Sequence, residues 1–265
     1  MSSLNYLRFM SRVAVLPEAE KEKIQRSIGF IKLKLKKYFG NEIKAQFQFG
    51  SSTRGTILPR RLDERSDIDY MIVFSNGGYR PQTYLDRLRR FVADTYKASR
   101  VHQSHPTIVL NMNHIKFELV PAVEHFWSGY DIPAKATDYE DWIGTDPNDF
   151  NDDLTSRNQM YSNLTKPTIR LLKYWNAQNG YPFESFELEK QVVDMFFFWN
   201  SPRNVKEYVY SAFGELDLGL SSSVRSRYAL ERAQNHIREA KAYDGLGNDM
   251  LALKEIKKVI PPING

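Results

Sequence analysis

Cysteine is absent from the 265 residues. Disulfides, thiolate zinc sites and cysteine nucleophiles are therefore excluded. Long apolar runs are missing too. No stretch approaches the ~20 residues needed to cross a bilayer, and the longest, Met195 to Trp199, reads as a piece of buried helix. Met1 to Leu16 holds no continuous apolar stretch and no evident cleavage site, so the expectation is no secretion signal, no membrane contact and a cytoplasmic location. Internal repeats and low-complexity tracts are also lacking. What remains is ordinary for a soluble globular chain: 42% hydrophobic and 26% charged residues. The length allows one large domain or two small lobes, each with an apolar core. A net charge of +5 suits polyanionic ligands such as nucleotides or RNA.

Periodicity divides the chain into two parts. Pro17 and Glu18-Ala19-Glu20 start a helix, Ile24, Ile28, Ile31 and Leu35 give it an apolar stripe, and Gly40 ends it. Lys32, Lys34, Lys36 and Lys37 lie on its other side, as a solvated face or as a basic surface for an activating nucleic acid. Strands are expected at Ala45–Phe49, Ile68–Phe74, Thr107–Met112 and Ile115–Val120. A turn is expected at Asn76-Gly77-Gly78, and a helix carrying Leu85, Leu88, Phe91, Val92 and Tyr96. Residues 126–157 look irregular and acidic. Helices follow over 166–179, from Ser185 through Phe197, over 222–243 and over 247–259. The expected fold is α+β: a small mixed sheet with helices over residues 1–125, then a linker and helical lobe over 126–265. The seam between such lobes is a natural ligand cleft.

The chemistry concentrates in Phe49-Gly50-Ser51-Ser52 and Ser66-Asp67-Ile68-Asp69-Tyr70. Strand side chains alternate, so Asp67 and Asp69 project to one face. Two carboxylates so placed repel, and a divalent cation compensates them well. Mg²⁺ takes oxygen ligands and keeps positions for water or phosphate. In Lys116-Phe117-Glu118-Leu119, Phe117 and Leu119 face the core, which sends Glu118 to the opposite face with Lys116 and Val120. If the two strands are neighbours, Asp67, Asp69 and Glu118 converge on a pair of Mg²⁺ ions, with Mn²⁺ as a substitute. Gly50 lets the backbone approach phosphate closely, and the Ser51 hydroxyl adds a donor. Each piece alone is weak, since Gly-Ser marks ordinary turns and Asp-x-Asp is usually a solvated pair. The order of all the pieces is what specifies phosphoryl transfer.

These elements resemble the polymerase-beta-like nucleotidyltransferases. Tyr130-Asp131-Ile132-Pro133, Asp141-Trp142-Ile143-Gly144-Thr145-Asp146-Pro147, Arg170-Leu171-Leu172-Lys173-Tyr174-Trp175-Asn176 and Ser185-Phe186-Glu187-Leu188-Glu189 are similar to segments of the bacterial relatives of cyclic GMP–AMP synthase and oligoadenylate synthase. The resemblance implies a two-lobed enzyme, its active site between the lobes. Such an enzyme joins nucleoside triphosphates into a cyclic di- or trinucleotide, releasing pyrophosphate, as an anti-phage signal that switches on a separate effector protein. It implies that Asp67, Asp69 and Glu118 bind the metals and that Gly50 and Ser51 grip phosphate. Lys173 and Ser185 would contact the donor triphosphate, and Phe186 would stack on a base. Lysine is a good point charge for phosphate, and an aromatic face accepts any base. Plainer roles stand beside these: a solvated lysine, a helix-capping serine and a core phenylalanine, with Trp142 and Trp175 as packing residues. Glu118 stands where many relatives carry aspartate. Two other functions compete: nucleotide transfer to an RNA end, a protein or a small molecule, and a non-catalytic nucleotide- or RNA-binding module.

Overall fold

A computed structural model describes residues 1–75, 77–97, 101–104, 106–134, 141–147, 149–197, 201–219 and 221–263, with the side chain of residue 101 left aside. In chain order the elements are α1 (Ser3–Val13), α2 (Glu18–Phe39), β1 (Ile43–Phe49), α3 (Ser51–Arg54), β2 (Asp67–Phe74), α4 (Pro81–Thr95), β3 (Val101–Ser104), β4 (Thr107–Asn111), β5 (Lys116–Glu124), β6 (Tyr130–Pro133) and β7 (Trp142–Thr145). Then come α5 (Asp149–Met160), α6 (Thr165–Gln178), α7 (Ser185–Asp194), α8 (Val205–Glu215), α9 (Val224–Gly245) and α10 (Asp249–Val259). The chain forms two compact units, residues 17–57 with 65–151, and residues 1–16 with 58–64 and 152–265.

The first unit is built on a mixed sheet of order β1-β2-β5-β4-β3, with β6 added to β5 and β7 to β6. β2 and β5 are parallel, and the other pairings are antiparallel. Alternation gives each central strand two faces. Ile68, Tyr70, Ile72 and Phe74 of β2 are buried, as are Phe117 and Leu119 of β5. The apolar stripes of α2 and α4 are buried in the same unit, where Phe39 meets Phe74 edge to face at 5.4 Å and Tyr84 packs on Phe74 at 5.0 Å. On the alternate positions, Met71, Val73 and Ala122 form an apolar cluster covered by Ala45, Phe47, Phe49, Tyr130 and Ile132. That face therefore changes from apolar to acidic along β2, from Val73 and Met71 to Asp69 and Asp67. Pro17 and Gly40 flank α2 as expected, with Gly40 at φ +58°. Of its lysines, Lys32, Lys36 and Lys37 are exposed, whereas Lys34 lies 3.9 Å over the Tyr96 ring.

The helical unit gathers α1 and α6 to α10, with most of α5. Asp244 of α9 accepts bonds from Ser3 (3.0 Å), Lys206 (2.6 Å) and Tyr210 (2.7 Å), so one carboxylate ties α9 to α1 and α8. Burial, and then the bond to Asp244, push the Tyr210 phenol far above its ordinary pKa. Tyr6 donates to the Ile260 carbonyl at 2.7 Å, which holds α1 against the end of α10.

Several expectations are corrected. The division falls at residues 151/152 rather than 125/126, because β6 and β7 extend the sheet, and residues 1–16 group with the helical unit, where α1 packs on α6, α8 and α10. Residues 126–157 are not irregular throughout: among the described residues they hold β6, β7 and most of α5. Their strands are only four residues long, and α5 buries just Leu154 and Asn158, too few to print a period. Met195 to Trp199 is no helix in its described part: α7 ends at Asp194, Met195 is extended and Phe196 is 47% exposed, with Phe198 and Trp199 outside the described residues. Asn76 of the expected turn also lies outside them.

Asp244→Ala should lower the unfolding free energy by about 2 kcal/mol, since three donors lose one acceptor. Denaturant unfolding measures this, and a loss well under 1 kcal/mol would contradict the hub.

Candidate active site

The parallel register of β2 and β5 sets the site. Asp67 lies opposite Lys116, and Asp69 lies opposite Glu118. On its other side Asp69 lies opposite Phe49 of β1, so Gly50 follows directly at the end of that strand. Glu118 in turn faces Val109 of β4. Three carboxylates from two strands thus share one edge of one sheet face, all half-buried.

A lysine stands among them. Lys116 Nζ donates to Asp67 Oδ2 at 2.9 Å and to Glu118 Oε1 at 2.8 Å. Burial disfavours its charge, but the neighbouring Asp67 and Glu118 carboxylates outweigh that and raise its pKa above the ordinary lysine value. Thr107 of β4 lies 3.5 Å from the other Glu118 oxygen, at the outer limit of a hydrogen bond. The sequence alone puts Lys116 on the Glu118 face but gives it no role. The pairing to Asp67 needs the cross-strand register, which periodicity does not supply.

Gly50 is demanded by the same geometry. It has φ +74°, and a Cβ there would come within 2.8 Å of Asp69 Cγ, overlapping the carboxylate. Only glycine lets β1 turn into α3 this close to Asp69. The turn is braced: Thr53 Oγ1 donates to the Gly50 carbonyl at 2.9 Å, Ser52 Oγ to the Phe49 carbonyl at 3.1 Å, and Gln48 Nε2 to Ser52 Oγ at 2.7 Å. Ser51 opens α3 and is half-buried, its carbonyl accepting from the Thr56 and Ile57 amides at 3.1 and 3.2 Å. The donor set fits hard divalent cations: three carboxylates supply oxygen ligands, and the missing side chain at Gly50 is what lets the Asp69 carboxylate lie against the turn.

The remaining expected residues lie in the helical unit. Lys173 is no solvated lysine. Its side chain is 6% exposed and donates to Glu189, fully buried on α7, at 2.9 Å. Ser185 begins α7 but does not cap it, because Glu184 occupies the cap position and makes no side-chain cap bond. Phe186 is 53% exposed and is not core. The approach to α7 is fixed by Asn176, which accepts from the Phe183 amide and donates to the Phe183 carbonyl, both at 2.9 Å. Trp175 packs on Phe183 and Phe213, and Trp142 on Tyr84, so both are packing residues. A groove of about 1010 Å³ beside α7 carries Glu184, Glu187, Asp194, Glu215 and Asp217, a lining that repels a triphosphate. The structure thus brings Gly50, Ser51, Asp67, Asp69 and Glu118 together in the sheet unit, and Lys173, Ser185 and Phe186 onto α6 and α7 of the helical unit.

Comparison with known proteins gives concordant results. The Second Messenger Oligonucleotide or Dinucleotide Synthetase domain matches residues 1–158. A Bacillus cereus (strain VD146) protein described as a probable cyclic nucleotide synthase is 30% identical over 207 residues, covering 62% of this chain and 60% of that protein. The fold is similar to Escherichia coli MS115-1 CdnC in complex with HORMA-deltaN (TM-score 0.71, 15% identity, 100% of this chain and 98% of that one). It is also similar to Vibrio cholerae DncV in complex with the linear intermediate 5′ pppA(3′,5′)pG (TM-score 0.70, 14% identity, 94% and 92%).

Lys173→Ala should cost about 3 kcal/mol or more, because it leaves Glu189 buried without its cation. Glu189→Gln together with Lys173→Met should recover much of that in chemical denaturation. Equal stability of Lys173→Ala and the unaltered protein would rule out the buried pair.

Proposed function

Because the chain belongs to the Second Messenger Oligonucleotide or Dinucleotide Synthetase family, we propose that it joins nucleoside triphosphates into a cyclic di- or trinucleotide second messenger. The observation that carries this reading is the in-register meeting of Asp69 and Glu118, with Asp67 one alternation away, beside a turn that tolerates only glycine. The reaction forms a bond between a ribose hydroxyl oxygen of one nucleotide and the α-phosphorus of another. Pyrophosphate leaves, and the hydroxyl proton passes to solvent. A last transfer within the linear di- or trinucleotide, again with loss of pyrophosphate, closes the ring.

Asp67, Asp69 and Glu118 would hold two Mg²⁺ ions, with Mn²⁺ as a substitute. Such ions, when bound, neutralise phosphate charge and lower the pKa of a coordinated hydroxyl. The work of this chain's own residues is chiefly positioning and charge neutralisation. The Gly50–Ser51 turn receives phosphate oxygens, using the close backbone approach and the serine hydroxyl. Ser185 and Phe186 on α7 serve the donor triphosphate and a base. Lys173 can join them only by giving up part of its bond to Glu189, so it contributes less than a full charge to a phosphate. The resemblance to the bacterial relatives of cyclic GMP–AMP synthase extends the reading to an anti-phage signal sensed by a separate effector protein. The chain spans about 60% of the length of the curated relative it matches, so activity, substrates and partners are part of this proposal. Among the described residues no helix is long and apolar enough to cross a membrane. The exposed Lys32, Lys36 and Lys37 suit an activating nucleic acid, which salt-dependent RNA binding would reveal.

Incubation with the four ribonucleoside triphosphates and Mg²⁺, phosphatase treatment and mass analysis tests the reading. Phosphatase-resistant products lacking free ends are expected. Labelled RNA or protein instead would move the activity to another acceptor. Asp67→Asn or Asp69→Asn should lower incorporation by about a thousandfold or more with the fold intact, whereas unchanged turnover would remove them from the site. Gly50→Ala should be almost as damaging, and near-normal turnover in that variant would show that Asp69 can move without consequence.

A further inference from the structure

Lys116 occupies the space between the two carboxylates that any shared divalent ion would use. Its ammonium bonds Asp67 and Glu118 at 2.9 and 2.8 Å, ordinary lengths for charge-assisted hydrogen bonds. It comes from the strand position opposite Asp67 and two before Glu118, so the same backbone pairing that assembles the acidic edge also delivers the cation. Its side chain is 24% exposed, leaving it room to swing outward. By contrast the lysine–glutamate pair inside the helical unit is enclosed, with exposures of 6% and 0%.

We propose that Lys116 is a built-in competitor for the metal site, a positioning residue that sets how much divalent cation is needed to load it. This inference rests on the proposed metal role of Asp67, Asp69 and Glu118. An ion bound to Asp67 Oδ2 and Glu118 Oε1 has to take those oxygens from the ammonium. The displaced ammonium keeps its charge and needs a new anion. An incoming triphosphate is the anion that the proposed reaction provides, so metal and nucleotide load together and either one alone loads poorly. The competition is symmetrical: whatever the ammonium contributes to holding the carboxylates, the metal gives up in apparent affinity.

Electron paramagnetic resonance of unbound Mn²⁺ reads the affinity without any turnover. Lys116→Met should bind Mn²⁺ at least tenfold more tightly than the unaltered protein in the absence of nucleotide. Lys116→Gln, which keeps polar contact without charge, should fall on the same side and serves if the methionine variant does not fold. Lys44→Met removes an exposed lysine of the same unit that pairs with Glu124, and should change the affinity less than twofold. A non-hydrolysable triphosphate should strengthen Mn²⁺ binding in the unaltered protein by about tenfold more than in Lys116→Met. Mn²⁺ binding that Asp67→Asn abolishes but that neither Lys116 variant tightens would overturn the competition and leave the metal site standing. Absence of Mn²⁺ binding in every form, with nucleotide present, would overturn the metal site and this inference with it.

Discussion

Like charge brought together by backbone pairing is the constraint on which this structure turns. In parallel β2 and β5, Asp69 and Glu118 are cross-strand partners, and Asp67 shares their face. Two unit charges 4 Å apart interact by about 4 kcal/mol at an effective dielectric near 20. Strand pairing cannot relieve that repulsion by slipping, because a one-residue shift would carry Phe117 and Leu119 out of the core. The apolar alternation therefore fixes the acidic cluster in place, and positive charge has to meet it. Lys116 supplies part of that charge from within the chain.

Other features follow from the same register. β1 runs antiparallel to β2 and ends opposite Asp69, so the turn into α3 must pass the carboxylate with no side chain in between. Met71, Val73 and Ala122 continue the face as an apolar cluster, and residues of β1 and β6 cover it. The acidic edge thus sits at the end of a rigid platform, which is what a positioning mechanism requires. The helical unit is organised by separate polar anchors, Asp244 among α1, α8 and α9, and Glu189 between α6 and α7.

Much of this was legible in the sequence, for identifiable reasons. The long stripes of α2 and α4 and the alternation in β2 and β5 each sample their period several times. Alternation puts Asp67 and Asp69 on one side of their strand, and Phe117 and Leu119 send Glu118 away from the core, but that the two strands are neighbours is supplied only by the structure. Gly50 was legible as a close-approach glycine, although its partner, Asp69, was not. Elements with short or weak periods were hidden: β3, β6 and β7 have four residues each, and α5 has little amphipathic contrast. α8 escaped despite a readable signal, since Asn204 caps it and exchanges bonds with Glu207. The burial of Lys173 could not be foreseen, because its partner Glu189 lies sixteen residues away on another helix. Lys116 is the most instructive omission. Its charge was visible, but its place between two carboxylates depends on which residues face each other across parallel strands.

The most direct test is anomalous X-ray diffraction from crystals grown with Mn²⁺ and a non-hydrolysable nucleoside triphosphate. The account predicts Mn²⁺ peaks coordinated by Asp67, Asp69 and Glu118, with triphosphate oxygens completing the shell and the Lys116 ammonium turned away from both carboxylates. Mn²⁺ bound elsewhere, or Lys116 still bridging Asp67 and Glu118 beside a bound nucleotide, would contradict it.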